Sequence, residues 1–238
     1  MDLIGSLSPA DKFVLTRDEV RSIDAAAVEG LGIHGLVLME NAARGVADHL
    51  TGVRPDGSVV IVCGPGNNGG DGLALARQRA AQGLSSRILL VTNGKSLTPD
   101  AQANLDSLLR SGVAVERNHA AGECERALKG LTEQDWIVDC LLGTGIRGAV
   151  REPFCSWIAD INESPARVLA VDLPSGLDTD TGLAASECIR ADLTVTFVGL
   201  KRGFLNPEAA EWTGRVVVEH IGIPKPWIAS WLQQRRDS

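Results

Sequence analysis

The segment 64–72, with the sequence GPGNNGGDG, directly follows an apolar run and has the residue types of a phosphate-binding turn. It contains the spacing G-x-G-x-x-G, which occurs where a strand turns into a helix and leaves backbone N–H groups open. Asp71 would crowd a pyrophosphate and no Lys-Ser/Thr pair follows, so neither a standard dinucleotide fingerprint nor a Walker A loop is indicated. The adjacent Asn67 and Asn68 offer donors and acceptors together. The alternative is a plain turn in which Asp71 caps the next helix.

The segment 139–148, with the sequence DCLLGTGIRG, repeats this glycine spacing at the end of a second apolar run. Its open N–H groups, the Thr144 hydroxyl and the Arg147 guanidinium make it the better phosphate cradle of the two. The alternative is a solvent-exposed arginine on a glycine turn. Asp139 lies inside the apolar run, where an unpaired carboxylate would be costly. We therefore expect a cation or a strong hydrogen-bond donor next to Asp139.

A third polar segment begins at Asp172, directly after the apolar run 167–171, and includes Ser175. Because the carboxyl ends of parallel strands meet at one edge of a sheet, we expect Asp172 to project into a crevice there. Capping of a turn is the alternative. The three segments also bring Asn68 and Asp139 to this edge. Together with Ser175, these oxygen ligands suit a hard cation, either a monovalent ion or partly hydrated magnesium, and not zinc or iron.

Lys201 follows the apolar run 193–198 and can reach the same crevice as an acid, a base or a counter-charge; an exposed surface position is the alternative. The four histidines, at positions 34, 49, 119 and 220, do not stand beside a Ser or Cys in a nucleophilic motif, and there is no G-x-S-x-G. These absences argue against a hydrolase triad. Trp227 and Trp231 have the i, i+4 spacing of one helix face, and we expect them to cover the core or a subunit contact.

Short aliphatic runs that alternate with amphipathic segments indicate the elements that position these residues. The predicted strands are 58–63, 87–91, 135–142, 167–171, 193–198 and 215–218. The predicted helices are 16–29, 36–50, 71–82, 98–110 and 151–162. The strands have the composition of strands buried on both faces, and their alternation with helices predicts an α/β fold with a parallel sheet between helical layers. No linker or repeat divides the chain, so residues 1–238 are expected to form a single domain.

The composition limits the class of protein. With 238 residues, of which 44% are hydrophobic, the chain can fold around its own core without disulfide staples. A net charge of −7 without a long Lys/Arg run disfavours nucleic acid as a partner. Five cysteines without a C-x-x-C pair are expected to be buried thiols in a reducing compartment. Neither a signal peptide nor an apolar stretch of membrane-spanning length is present, which favours a cytoplasmic protein without membrane contact.

The chain resembles the YjeF N-terminal-domain family, whose enzymatic members are NAD(P)H-hydrate epimerases. The resemblance extends from about Thr16 to Ile223 and rests on five motifs in the same order. These are LMENA at 38–42, GNNGGDG at 66–72, Asp139 with GTG at 143–145, VDLPSG at 171–176, and Lys201 with Gly203. The resemblance implies a three-layer α/β/α Rossmann-like fold with a mostly parallel central sheet. It also implies a homodimer that interconverts the R and S forms of hydrated NADH and NADPH.

The resemblance further implies roles for individual residues. Asn68, Asp139 and Ser175 would hold one potassium ion per subunit. Because exchange of the epimers needs an acid and a base near one carbon, we hypothesise in addition that Asp172 transfers a proton, with Lys201 as a second catalytic group. The residues expected to bind the hydrated nucleotide are Asn67, Asn68, Gly69, Gly70, Asp71, Gly143, Thr144, Gly145, Ile146, Arg147, Gly148, Ala149 and Asp172.

Two alternatives to an epimerase remain open from the sequence. A non-catalytic nucleotide- or protein-binding scaffold of the same fold would have no reason to keep Asn68, Asp139, Asp172 and Ser175 together. A NAD(P)-dependent dehydrogenase is disfavoured because no acid follows the second predicted strand to bind a ribose. The family's functional partner is an ADP- or ATP-dependent dehydratase that repairs the S form, and we expect it on a separate chain because this one ends soon after the last predicted strand.

Overall fold

The computed structural model describes residues 13–53, 57–118, 123–145 and 148–237. The described strands are β1 (Val14–Leu15), β2 (Val59–Cys63), β3 (Arg87–Val91), β4 (Glu116–Asn118), β5 (Trp136–Cys140), β6 (Arg167–Val171), β7 (Leu193–Phe197), β8 (Leu200–Lys201) and β9 (Arg215–Glu219). The described helices are α1 (Arg17–Leu31), α2 (Gly35–Gly52), α3 (Asn67–Ala81), α4 (Pro99–Arg110), α5 (Glu123–Leu128), α6 (Phe154–Glu163), α7 (Ala210–Thr213) and α8 (Lys225–Arg236).

Seven strands form one sheet in the order β4-β3-β2-β5-β6-β7-β9, and every neighbouring pair is parallel. The chain enters the sheet at β2, proceeds outwards to β4, and then returns to β5 on the other side of β2. This reversal opens a crevice outside the carboxyl ends of β2 and β5, where ligands bind in open α/β sheets. The glycine-rich segments 64–72 and 139–148 both begin at this switch point.

Helices cover both faces of the sheet, which confirms the predicted three-layer α/β/α architecture. Side chains of β2 alternate between the faces: Ile61 and Cys63 pack in a core with α1, α2, α3, α4 and α8, whereas Val60 and Val62 pack in a second core with α5 and α6. Alternation with period two on a strand buried on both faces explains why these strands contain almost no polar residues.

The six predicted strands are all present, with ends that differ by one or two residues. The short strands β1, β4 and β8 were not predicted. The edge strand β4 has the polar sequence ERN, which carries no apolar signal. Strands β1 and β8 pair with each other in parallel, with Val14 opposite Leu200 and Leu15 opposite Lys201. A contact between such distant parts of the chain has no local sequence pattern.

Helix α3 begins at Asn67, four residues before its predicted start, so Asp71 lies inside the helix and does not cap it. The glycines in its first turns have low helix propensity, which hid the true start. They are required by close packing: a Cβ atom at Gly69 would overlap the backbone oxygen of Gly64. A Cβ atom at Gly72 would lie 2.8 Å from the Sγ atoms of Cys63 and Cys140.

The start of α1 is fixed by a capping box formed by Thr16 and Glu19. The Thr16 Oγ1 atom accepts a hydrogen bond from the Glu19 backbone N–H at 3.2 Å, and Glu19 Oε2 accepts one from the Thr16 backbone N–H at 2.7 Å. Arg17 forms ion pairs with Asp178 and Asp180. These contacts attach the first turn of α1 to the loop that follows β6.

Two further expectations concern the cysteines and the C-terminal tryptophans. All five cysteines fall within the described ranges and carry free thiols; four are buried and Cys155 is half-buried. Trp227 and Trp231 lie on α8 with ring centroids 6.3 Å apart, and both pack against the larger core, as predicted. Within the described ranges, no helix has both the length and the apolar character needed to cross a membrane.

Candidate functional site

A cavity of about 1000 Å³ lies at the carboxyl ends of β2, β5 and β6. Helix α1, the start of α2 and the first turns of α3 form its other walls. This volume is at the upper end of small-molecule sites and is sufficient for a dinucleotide-sized ligand. The cavity therefore occupies the place at which the strand order predicts a ligand.

Three residues other than glycine have positive φ in the described part of the chain, and all three line this cavity. They are Asn93 (φ 49°), Asp172 (φ 66°) and Val198 (φ 69°). This conformation is uncommon for Asp and Asn and strained for a β-branched residue such as Val. Backbone strain of this kind is concentrated at functional sites, where the surrounding structure holds side chains in required positions.

Asp172 and Lys201 form an ion pair at the wall of the cavity. The Lys201 Nζ atom lies 2.6 Å from Asp172 Oδ1, and the exposed fractions of the two side chains are 1% and 16%. Asp172 Oδ1 also accepts hydrogen bonds from Thr196 Oγ1 at 3.2 Å and from the Phe197 backbone N–H at 3.3 Å. Lys201 Nζ donates to the Phe197 carbonyl oxygen at 3.3 Å. The carboxylate is thus held by three donors while one side of it faces the cavity.

Asp139 lies beneath the cavity and is completely buried. Its Oδ2 atom accepts a hydrogen bond from the Ser175 backbone N–H at 2.8 Å, and its Oδ1 atom accepts from Ser175 Oγ at 2.7 Å and from the Leu141 backbone N–H at 3.1 Å. Burial raises the pKa of Asp139 to about 6, and these hydrogen bonds oppose the rise. The expectation of strong donors beside Asp139 is therefore confirmed.

Asn68 lies next to this buried group, on the first turn of α3. Its Nδ2 atom donates to the Leu142 carbonyl oxygen at 2.9 Å, and Ser175 Oγ lies 3.2 Å from that same oxygen. The Asn68 Oδ1 atom is buried and accepts no hydrogen bond within the described residues. A buried oxygen without a partner is unfavourable unless a bound group satisfies it. Asn68, Asp139 and Ser175 are therefore brought together, with one oxygen available for a cation.

Five carboxyl groups line the cavity in the described part of the chain, and three of them interact electrostatically: Asp24 on α1, Asp71 on α3 and Asp172 after β6. Burial raises the pKa of Asp71 well above its usual value, and the charges of Asp172 and Asp24 add to the rise. The Asp24 carboxyl group is exposed to the cavity but surrounded by protein on most sides. This desolvation raises its pKa to about 6; the charge of Asp172 raises it further and Lys201 opposes the rise. Perturbed carboxyl groups in one cavity are typical of sites for proton transfer.

The amino terminus of α3 lies in the cavity wall, which includes Gly66, Asn67 and Asn68. The first three helical residues, Asn67 to Gly69, have N–H groups without a partner inside the helix, whereas the Gly70 N–H bonds to the Gly66 oxygen at 3.0 Å. Open N–H groups and the helix dipole attract a phosphate. The segment 139–148 is followed by α6, which begins at Phe154. Because residues 146 and 147 lie outside the described part of the chain, the prediction that this segment is the better phosphate cradle stays a prediction.

Some of the predicted site residues line the cavity, and others lie behind, beneath or outside its wall. Gly69 and Gly70 are buried behind the wall, Gly148 is exposed outside it, and Asp139 and Ser175 lie beneath it. Ile146 and Arg147 lie outside the described residues, so their predicted contacts are not placed. The predicted residues that line the cavity are Asn67, Asn68, Asp71, Gly143, Thr144, Gly145, Ala149, Asp172 and Lys201.

The sequence analysis missed the contribution of α1, most notably Asp24. This aspartate lies within an amphipathic helix, where an acidic residue has the pattern of an ordinary solvent-facing position. The basic residues Arg21 and Arg151 of the cavity wall were also not predicted to bind a ligand. No motif marks any of these residues. The capping box at Thr16 locates the helix but does not show which of its faces lines the cavity.

Comparisons with known proteins agree with this geometry. The chain matches the family model described as YjeF-related protein N-terminus over residues 35–203. It is 39% identical to the NAD(P)H-hydrate epimerase of Pirellula staleyi, over 89% of this chain and 93% of that protein. It is 37% identical to the NAD(P)H-hydrate epimerase of Rhodopirellula baltica, over 88% of this chain and 84% of that protein.

A longer relative and a solved structure extend the comparison. The bifunctional NAD(P)H-hydrate repair enzyme Nnr of Pyrobaculum aerophilum is 44% identical over 82% of this chain, but the match spans only 39% of that protein. The crystal structure of yeast ynu0, YNL200c, superposes with a TM-score of 0.70 over 87% of both chains at 23% identity, which shows the same fold. The family model and the full-length matches together show that this chain belongs to the family of YjeF-related protein N-termini.

Proposed function

We propose that the protein is an NAD(P)H-hydrate epimerase, which interconverts the R and S forms of hydrated NADH and NADPH. The observation that carries the proposal is the Asp172–Lys201 ion pair in the wall of a dinucleotide-sized cavity at the switch point of the sheet. The two relatives that match this chain over most of their own length bear the name of this activity. A scaffold would not require a strained carboxylate facing an open cavity.

The reaction explains why charged groups are required at one point of the cavity. The hydrate carries a hydroxyl group at ring carbon six, next to the ring nitrogen, so it is a hemiaminal. Its epimers exchange either through loss and re-addition of water or through ring opening, and either route needs proton transfer near one carbon. Asp172 transfers the proton. Lys201 is its ion-pair partner and the second charged group at the reaction centre.

The remainder of the cavity holds the nucleotide. The N–H groups of Asn67 and Asn68 at the start of α3 bind a phosphate of the dinucleotide. Thr144 and the backbone of 143–149 contact the ligand from the end of β5, and Asp71 contacts it from α3. The cavity also contains Lys95, which follows β3 and can approach the adenosine half of either nucleotide.

Potassium is the cation that we propose for the group of Asn68, Asp139 and Ser175, one ion per subunit. The buried Asn68 Oδ1 atom, which accepts no hydrogen bond from the described residues, supports this assignment. Amide, hydroxyl and carboxylate oxygens suit a hard cation of low charge. When bound, the ion would supply positive charge beside the buried Asp139. Asn68 then holds the start of α3, and Ser175 holds the loop after β6, in fixed positions around the ligand.

The bifunctional relatives support a dehydratase as the functional partner. A homodimer is supported by a group of exposed apolar side chains at the end of α1 and the start of α2, namely Val28, Leu31, Leu36 and Val37. A cytoplasmic location is supported by five free cysteines, four of them buried.

The proposed activity is tested with the purified R epimer of hydrated NADH. The protein is incubated with this epimer in potassium buffer, and the ratio of R to S is followed by chromatography against a control without protein. Epimerisation faster than the spontaneous rate supports the proposal. A folded protein that gives no acceleration would contradict it and favour a binding or scaffolding role.

A further inference from the structure

Helix α1 presents Asp24 to the cavity in a fixed orientation. Val20, Asp24 and Val28 line the cavity, and their i, i+4, i+8 spacing places them on one stripe of the helix. Ile23 and Ala27, on the neighbouring stripe, are buried in the core and prevent rotation of the helix about its axis. The helix is therefore fixed in position, and Asp24 stands in the cavity wall.

The first turn of α1 is attached to the elements that hold the Asp172–Lys201 pair. Leu15, two residues before the helix, pairs with Lys201 across β1 and β8. Arg17 forms an ion pair with Asp178, which lies in the loop that begins at Asp172. Asp24, two turns further along the helix, is thus positioned by the same contacts that fix the Asp172–Lys201 ion pair.

The Asp24 carboxyl group differs from those of Asp139 and Asp172 in its contacts. None of the residues that the structure describes donates a hydrogen bond to it, whereas Asp139 accepts three hydrogen bonds and Asp172 accepts two and pairs with Lys201. A carboxyl group in a cavity wall without a donor among the described residues is available to a ligand. The charged residues that share the described cavity with it are Arg21, Asp71, Lys95, Asp100, Arg151, Glu152, Asp172 and Lys201.

We propose that Asp24 is the second acid–base group of this site and that it acts with Asp172 on the hydroxyl group at ring carbon six; this inference rests on the proposed epimerase function. Asp24 donates a proton to the hydroxyl group as the carbon–oxygen bond breaks. The ring nitrogen supplies the electron pair that forms a carbon–nitrogen double bond, and water leaves. Water then adds to the other face of the carbon, the electron pair returns to nitrogen, and Asp172 accepts the proton that the added water loses.

The net step moves one proton from Asp24 to Asp172, and exchange with solvent restores both groups. Lys201 is the ion-pair partner of Asp172, whereas no described residue pairs with Asp24, so Asp24 is the group that we assign as the proton donor. The raised pKa of Asp24, about 6, keeps a protonated fraction available near neutral pH. The value of kcat/KM is therefore expected to fall as the pH rises above about 6.

The test compares Asp24→Asn with Asp24→Glu and with Glu29→Gln. Glu29 lies on the same helix, is exposed and does not line the cavity, so its variant controls for loss of a negative charge on α1. For each protein, kcat and KM for the R epimer of hydrated NADH are measured across the pH range, and the spontaneous rate at each pH is subtracted. Thermal unfolding checks that the variants are folded.

We expect Asp24→Asn to lower kcat by about 100-fold with little change in KM. In this variant kcat/KM should no longer fall as the pH rises above about 6. Asp24→Glu should retain part of the activity and the pH dependence, and Glu29→Gln should match the unaltered protein. An Asp24→Asn variant with unaltered kcat, or with a lower kcat but the same pH profile, would overturn the assignment of Asp24. Neither result would affect the proposed epimerase function. An unaltered protein that fails to accelerate epimerisation would overturn the proposed function, and the role of Asp24 with it.

Discussion

The ammonium group of Lys201 is almost completely buried and lies 2.6 Å from the carboxylate of Asp172, which faces the cavity. The pair joins the end of β6 to the short strand β8, and Lys201 bonds in addition to the Phe197 carbonyl oxygen at the end of β7. A buried lysine is unfavourable unless a charged partner compensates it. The protein thus places a charged pair at the ends of two strands, where a ligand in the cavity can contact Asp172.

Replacement of Asp172 by Asn is expected to remove activity and preserve the fold. Asn also tolerates the positive φ at this position, so the backbone should not change. We expect the rate of R-to-S epimerisation to fall by about 100-fold or more. The thermal midpoint should also fall, because the buried Lys201 loses its counter-charge, while the protein stays folded at the assay temperature. Asp48→Asn, an exposed aspartate on α2, is the matched control and should keep full activity. Near-native activity of Asp172→Asn would exclude Asp172 from proton transfer.

Replacement of Lys201 by Met is expected to destabilise the protein, because it leaves Asp172 without its counter-charge. Loss of one member of a buried ion pair lowers the free energy of unfolding by about 3–5 kcal/mol, and partial exposure of Asp172 should reduce this to about 2–4 kcal/mol. Denaturant titration measures the change. Arg190→Met, which breaks the exposed pair with Glu211, should cost only about 0–1 kcal/mol.

The double variant Asp172→Asn with Lys201→Met separates stability from activity. Because it removes both charges, it should be more stable than Lys201→Met alone while remaining inactive. If the double variant were as unstable as the sum of the two single variants, the two residues would not be energetically coupled.

Potassium is expected to stabilise the protein through Asn68. A cation that binds only the folded state raises the free energy of unfolding by about 1–3 kcal/mol when its concentration is well above its dissociation constant. Thermal unfolding in potassium and in choline buffers should show this difference for the unaltered protein and not for Asn68→Ala. Asn162→Ala removes a hydrogen-bonded amide that is not a member of this group and should keep the potassium effect. An equal effect in all three proteins would place the ion elsewhere.

Removal of the Asp71 charge is expected to stabilise the protein in a pH-dependent way. Burial, with the charges of Asp172 and Asp24, raises the pKa of Asp71 in the folded state above its value in the unfolded chain. The folded state therefore binds the proton more tightly, and stability decreases as the pH rises from the unfolded pKa to the folded pKa. Asp71→Asn should raise the thermal midpoint by a few degrees above neutral pH, and the gain should disappear near pH 4.

A gain of equal size at every pH would show that the carboxyl group of Asp71 does not titrate differently in the two states. Activity of the same variant is expected to fall because Asp71 contacts the nucleotide. This combination of higher stability and lower activity is common for charged groups that a ligand requires.

Local patterns were sufficient to predict the sheet and the position of its ligand-binding loops. Apolar runs such as Val59–Cys63 and Arg167–Val171 indicate buried strands because both faces of the sheet are covered. The polar segments after these strands must meet at one edge, since all neighbouring strands are parallel. The proximity of Asn68, Asp139 and Ser175 follows from this rule, and the structure confirms it. Their roles in catalysis and ion binding stay predictions.

The contribution of helix α1 could not be predicted in this way. Its amphipathic pattern shows that one stripe is buried, but Asp24 has the same pattern whether it faces bulk water or a cavity. The start of α3 was also misplaced, because its glycines are poor helix formers that are required by contacts with Gly64 and with the cysteines of β2 and β5. In both cases the deciding interaction joins residues far apart in the chain.

Residue types and their local spacing therefore determined which elements form and which loops carry the candidate chemistry, because burial and hydrogen bonding impose periods that are visible over a few residues. The tertiary structure alone decided which side chains share the cavity with Asp172. Pairing of Leu15 with Lys201 and the ion pair of Arg17 with Asp178 bring α1 to the site and so place Asp24 there. Such long-range contacts depend on how whole elements pack, which leaves no periodic pattern in the sequence.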